Sequence, residues 1–269
     1  MNTPIKLIGL PTDRNSSHVC GSAKAPSAIR KVLMSGMSNL CAESGVDLEN
    51  ADIFVDDGDV DLREGAGDFA KIKNASERAF GKGAAVFLGG DHFVTWPIIE
   101  GLVASGMPPP HLVHIDAHPD LYPDFEGNPE SHASPMARLS ENGRLKSLTQ
   151  VGIRTVNAVQ QKQIDCYGVT VIAPSELENL AEMLPTGPTY ITIDLDGLDP
   201  AFAPGVSHHE PGGLTVREVL DIIKQLPGPI IGADIVELNP ARDINDMTAA
   251  VAVKLLKELV ARIHTDQND

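Results

Sequence analysis

Short apolar runs recur along the whole chain, each rich in Val and Ile and bounded by Gly, Pro or charge: IKLIGL (5–10), ADIFVDD (51–57), AAVFLGG (84–90), HLVHIDA (111–117), LTQVGI (148–153), VTVIA (169–173), TYITIDLD (189–196) and IIGADIVEL (230–238). Near-continuous apolarity in such short runs is the pattern of parallel strands covered on both faces. Between them lie segments with helical spacing, roughly 26–35, 67–82, 95–105, 133–142, 156–165, 175–184, 215–226 and 247–263. Pro26 and Thr215 suit helix starts, because proline fits the first turn and threonine can cap. Strand and helix alternating from end to end predict an α/β fold: one open, mainly parallel sheet of about eight strands with helices on both faces. No linker, repeat or low-complexity segment interrupts the pattern, so a single domain across 1–269 is expected.

In such sheets ligands bind just beyond the carboxyl ends of the strands, and the out-of-place polar residues fall there. GGDH (89–92) follows the third run, DAHPD (116–120) closes the fourth, DLDGLDP (194–200) closes the seventh, and DIVELNP (234–240) ends the eighth. Alternation in extended chain puts Asp116, His118 and Asp120 on one side, and likewise Asp194 and Asp196. Any one of these alone reads as a turn former, a helix cap or a packed histidine. Together with His92 they are hard to explain as caps, because crowded carboxylates and imidazoles repel or desolvate one another unless something positive lies between them. Asp116, Asp120, Asp194 and Asp196 carry −4 and two divalent cations would supply +4. With two imidazoles among oxygen donors, the set favours Mn²⁺ or a neighbour such as Ni²⁺ over a thiolate zinc site.

Composition narrows the partners. With 21 Lys+Arg against 37 Asp+Glu the formal charge is −16, which argues against nucleic acid or an anionic membrane and is compatible with a cationic substrate. Cys20, Cys41 and Cys166 are odd in number and form no CxxC pair, as expected of free thiols in a reducing cytoplasm. The apolar stretch at the start is too short for a signal peptide, and no run approaches the length of a membrane span.

GGDH, DAHPD, DLDGLDP and DIVELNP, in this order and spacing, resemble the ureohydrolase family of arginase and agmatinase, and GLPTDRNSSHVCGSAKAPSAIR (9–30) is similar to that family's N-terminal segment. The resemblance implies a three-layer α/β/α fold and a binuclear manganese site that hydrolyses guanidinium compounds to urea and an amine. It implies that His92 with Asp120 completes one metal and His118 with Asp196 the other, while Asp116 and Asp194 bridge. Glu237 matches the carboxylate that grips the guanidinium, and His132 in EGNPESHASP matches the proton-carrying loop histidine, so the catalytic set becomes His132, Glu237 and Asp120. A homo-oligomer, trimeric or hexameric, is implied as well. The chemistry is coherent in its own right: a guanidinium is a poor electrophile that needs activated water, its leaving amine needs a proton, and the cation needs an acidic anchor.

Two regions bear on the substrate. His208 and His209 in GVSHHEPGG stand where family members have smaller Gly or Thr residues; they line the pocket or shape the loop. The 121–134 loop resembles the agmatinase branch more than arginase, since Asn128, Glu130 and Ser131 match poorly the pattern that recognises an α-amino acid. That loop has no Lys or Arg and carries Asp124, Glu126 and Glu130, so a substrate ending in an amine is expected, with agmatine first, provided the loop faces the pocket. Guanidinobutyrate, arginine, formiminoglutamate and small guanidines remain alternatives, because pocket walls decide among them. Deacetylases share the fold, but their single zinc does not call for this full ligand set. A catalytically silent partner subunit is the remaining alternative.

Overall fold

Eight strands form one sheet in the computed structural model: β1 (Ile5–Gly9), β2 (Phe54–Asp59), β3 (Ala85–Leu88), β4 (His111–Ile115), β5 (Ser147–Val151), β6 (Thr170–Ile172), β7 (Thr189–Asp194) and β8 (Ile230–Val236). Every pairing is parallel, in the order β2-β1-β3-β8-β7-β4-β5-β6. The helices are α1 (Ala25–Leu33), α2 (Asp68–Phe80), α3 (Thr95–Ala104), α4 (Pro135–Glu141), α5 (Ala158–Tyr167), α6 (Leu180–Met183), α7 (Val216–Gln225) and α8 (Met247–Asp266). The structure describes residues 3–50 and 52–268. The first position of the expected ADIFVDD strand and both ends of the expected domain lie outside the described residues.

Two apolar layers follow from the period of two along the strands. On one face Leu7, Val113, Ile191, Ile193 and Ile235 pack against α1, α7 and α8. On the other Ile8, Leu112, Tyr190 and Val236 pack against α2, α3 and α4. Thr215 caps α7 as its sequence suggests: the Glu218 N–H donates to Thr215 Oγ1 at 3.1 Å, and Glu218 Oε2 accepts from the Thr215 N–H at 2.7 Å. Pro26 occupies the first turn of α1. Among the described residues no helix is long and apolar enough to cross a membrane.

Two expectations need correction. The second strand runs from Phe54 to Asp59, later than expected, and is not buried on both faces. It is an edge strand with Val55, Asp56, Asp57 and Asp59 exposed, its acids held in part by Arg30. An edge strand loses one neighbour, so charge is tolerated there and blocks further pairing. The helix expected over 175–184 is a 3₁₀ turn (Pro174–Asn179) followed by the short α6, because Glu176 leaves helical backbone geometry.

From β1 the chain adds β2 at the edge, places β3 on the inner side of β1, jumps to β4, winds out to β6, and returns to insert β7 and β8 between β3 and β4. The carboxyl ends of β3, β8, β7 and β4 therefore stand side by side, although their residues are far apart in sequence. Gly90, just after β3, allows the chain there to meet the 9–30 segment. A Cβ at Gly90 would lie 1.7 Å from the Thr12 carbonyl oxygen, where Asp91 N–H donates to that same oxygen at 2.9 Å. Gly90→Ala is therefore expected to cost about 1–3 kcal/mol in denaturant unfolding; a change within a few tenths would show that this approach is not tight.

Candidate metal centre

Each of the four adjacent strand ends supplies part of one buried cluster. His92 follows β3, Asp116, His118 and Asp120 follow β4, Asp194 and Asp196 close β7, and Glu237 follows β8. His92 Nδ1 faces one carboxylate oxygen from each of Asp116, Asp120 and Asp194 at 3.1, 3.2 and 3.2 Å. On the other side His118 Nδ1 faces Asp116 Oδ1 at 3.4 Å and Asp196 Oδ2 at 3.2 Å. Asp116 thus turns Oδ2 to one group and Oδ1 to the other. Asp194 turns Oδ2 to His92, while its Oδ1 accepts the Asp196 N–H at 2.8 Å.

This donor set fits a pair of divalent cations. In an octahedral site with bonds of about 2.1 Å, adjacent donors stand about 3.0 Å apart, close to the spacings around His92 Nδ1. That nitrogen is buried and makes no hydrogen bond among the described residues. Cation-compatible groups form from His92, His114, Asp116 and Asp120, and from Asp116, His118 and Asp196, with Asp116 common to both. Electrostatics agree. Burial, with repulsion from Asp196 and Asp116, pushes Asp194 well above the usual carboxylate range, and burial beside Asp116 pushes Asp196 up to about 6. Burial opposes a charge on His118, yet Asp196 and Asp116 raise it to about 12. Without cations the cluster must hold protons in their place.

Two polar contacts behind the ligands fix their orientation. His92 Nε2 meets Thr192 Oγ1 at 2.9 Å, and Thr192 donates to Asp234 Oδ1 at 2.5 Å, so Nε2 carries a proton and Nδ1 is the nitrogen a cation would use. Asp234 also accepts from Tyr190 and Thr95. His114 Nε2 lies 2.7 Å from Asp116 Oδ2, and its Nδ1 meets Gln150 Nε2 at 2.9 Å; His114 therefore holds Asp116 rather than offering a free donor. His114, Gln150, Thr192 and Asp234 were missed in the sequence. His114 and Asp234 could have been found as polar residues on the face of a strand that the surrounding apolar run predicts to be buried.

Asp120 and Glu237 both adopt left-handed backbone, φ 51° and 64°, conformations that cost a non-glycine residue of order 1–3 kcal/mol and collect at functional sites. Glu237 Oε1 accepts from the His92 N–H at 3.0 Å and from His132 Nδ1 at 2.8 Å; its Oε2 is buried without a partner among the described residues. His132 Nε2 receives the Ser17 N–H at 3.1 Å. That donor needs a lone pair at Nε2 and so describes a neutral ring. Burial also opposes a charge there, but Glu237, with Asp120 and Asp91 beyond it, raises His132 to about 9 and gives the ring its pull on a proton.

A cavity of about 410 Å³ opens over this cluster, lined among others by Ser17, His118, Asp120, His132, Asn157 and Glu237. His208 also lines it, its ring 5.4 Å from those of His18 and His132 and 5.8 Å from that of His118. Three expected substrate contacts do not reach the cavity. His209 is exposed and turns Nε2 to the Pro204 carbonyl. Asn128 is exposed and donates to Asn15, and Glu130 pairs with Arg14 at 3.4 Å. The acids of the 121–134 loop thus point away, and the premise that they face the pocket fails; the loop contributes Tyr122, Phe125, His132 and Ala133 to the lining instead.

A family model described as Arginase family matches residues 3–261. The chain belongs to the arginase family. It is 40% identical to the mitochondrial arginase 1 of Arabidopsis thaliana, over 96% of this chain and 80% of that protein. It is 32% identical to an agmatinase of Bacillus cereus, over 95% of this chain and 90% of that one. Among solved structures, an arginase from Medicago truncatula superposes with a TM-score of 0.91 at 37% identity, covering 97% of this chain and 87% of that chain.

Thr192→Val removes the hydroxyl that joins His92 to Asp234. Affinity for Mn²⁺ is expected to fall about 10–100-fold, read by metal titration; unchanged affinity would show that the contact orients nothing. Metal loading at pH 7 should also release a proton, since His118, raised to about 12, holds one in the metal-free protein. Calorimetry in buffers of different ionisation enthalpy reads this, and a heat independent of buffer would contradict it.

Proposed function

We propose that the protein hydrolyses a linear guanidino compound to urea and an amine, L-arginine first among them. Two divalent cations would be held by His92, Asp116, Asp120 and Asp194 on one side and by Asp116, His118 and Asp196 on the other. The observation that carries this reading is the two-sided Asp116 carboxylate beneath a cavity whose wall holds Glu237, with Oε2 buried and unpartnered among the described residues. When bound, the cations supply +4 against the ligand carboxylates and make water acidic enough to be a nucleophile near neutral pH, and the oxygen-rich set suits manganese.

The protein's own residues do the rest. Glu237 binds and orients: its free Oε2 accepts a guanidinium N–H, a charge-assisted bond that fixes the plane of the group. Its Oε1 stays committed to the His92 N–H and His132, so the carboxylate cannot swing. His132 carries the proton: Nδ1 is held by Glu237, leaving Nε2 beside Ser17 to take up a proton and deliver it to the leaving amine.

Arginine is preferred over agmatine on two grounds. The acidic loop that favoured a terminal amine turns away from the cavity, and the identity to the Arabidopsis thaliana arginase exceeds that to the Bacillus cereus agmatinase. Agmatine is the second reading, favoured by the lack of any Lys or Arg among the described lining residues. Urea release from L-arginine, agmatine and 4-guanidinobutyrate in one buffer with one metal tests the proposal. Arginine should have the highest kcat/KM; a higher value for agmatine moves the assignment to the second reading, and no urea from any guanidino compound overturns both. His132→Ala should lower kcat about 10²–10⁴-fold with metal content unchanged; loss of metal would make His132 a ligand instead of a proton carrier.

A further inference from the structure

We propose that Glu210 receives a second positive charge on the substrate, so that the site selects guanidino compounds bearing an ammonium group over those without one. The inference rests on the ureohydrolase reading and deepens it. The cavity is lined by five carboxylates, Asp120, Asp194, Asp196, Glu210 and Glu237. The three Asp belong to the cation cluster and Glu237 is committed to His92 and His132. Among the described lining residues Glu210 alone is a carboxylate outside the cation cluster without a hydrogen-bond partner for its side chain. Its side chain is 38% exposed, and its nearest charged neighbour is His118 Nε2 at 3.8 Å, too long for a hydrogen bond.

Its place along the cavity is also defined. His118 turns Nδ1 to Asp196 at 3.2 Å and Nε2 to Glu210, so Glu210 lies across the imidazole from the ligand oxygens. A guanidinium bound at Glu237 would send its chain away from the cluster, and a carboxylate on the outer side of His118 is suited to meet the other end. The backbone there is fixed. Arg154 gives both Nε and Nη2 to the Glu210 carbonyl at 3.0 and 2.5 Å, and reaches the carbonyls of Asp196 and Gly197 at 2.7 and 3.1 Å. One guanidinium thus staples the Glu210 loop to the loop that carries Asp196, holding the Glu210 backbone at a set position relative to the ligands and leaving its carboxylate free to turn. The acids of the 121–134 loop cannot serve instead, since Glu130 pairs with Arg14, Asp124 accepts the Gly127 N–H, and Glu126 is not among the lining residues.

Glu210→Gln keeps the shape and removes the charge. In the manganese-loaded enzyme, kcat/KM for L-arginine and for agmatine should fall about tenfold, mainly through KM, while 4-guanidinobutyrate, which has no second ammonium, is unchanged or improved. A turnover-independent arm uses calorimetry with putrescine and butylamine. The native protein should bind putrescine more tightly, and Glu210→Gln should abolish the difference. Equal loss for all three substrates, an unchanged ratio, or a drop in bound metal that puts Glu210 behind His118 would overturn the proposal. Putrescine selectivity that depends on Glu210 in a protein releasing no urea would keep the proposal's charge subsite and sink the ureohydrolase reading.

Discussion

Four Asp carboxylates meet two imidazole nitrogens at 3.1 to 3.4 Å at the floor of a cavity whose described lining holds no Lys or Arg. Carboxylates gathered around the same nitrogens and removed from water disfavour shared ionisation, and burial pushes Asp194 and Asp196 toward their neutral forms. The strain at Asp120 and Glu237, the polar contacts behind His92 and Asp116, and the acidity left over for a cationic substrate make sense as parts of one arrangement. Two divalent ions would convert that repulsion into cohesion. The sheet must keep four strand ends registered so that the ions find their ligands ready.

Registration comes from topology and from polar groups inside the sheet layer. β7 and β8 are inserted last into the centre, between β3 and β4, and bring Asp194, Asp196 and Glu237 beside His92 and Asp116. Thr192 and Asp234 face the same layer as Thr95 of α3, joining three elements behind His92. A buried carboxylate with three hydroxyl donors is satisfied where a lone one would not be, and the network specifies one position for the imidazole. From the other side the 9–30 segment closes the site, with Ser17 on His132 and Asn15 on Asp91.

Local pattern carried most of the architecture. Strand runs and helix spacing predicted the parallel sheet, because these signals depend only on local period; DAHPD and DLD do meet at the strand ends, but not by extended alternation, since Asp120 is left-handed and Leu195–Gly197 forms a 3₁₀ turn. Where the environment of a strand decides, the pattern misled: Phe54–Asp59 can be acidic because it is an edge, and adjacency in the sheet cannot be read from one segment. The substrate wall was harder still. Asp124, Glu126 and Glu130 are close in sequence to His132, yet they turn to Arg14, to a local turn and to solvent, whereas Glu210 arrives from a different loop through the Arg154 staple. Neighbourhood along the chain was mistaken for neighbourhood in the cavity, and His209 was misplaced for the same reason while its neighbour His208 lines the wall.

The claim on which everything else depends is that the cluster is built for two cations sharing Asp116. Elemental analysis of protein loaded with Mn²⁺ and freed of excess should return close to two metals per chain for the native sequence, and a lower stoichiometry for Asp116→Asn. A native stoichiometry that stays at one or below, with Asp116→Asn no different, would contradict the account.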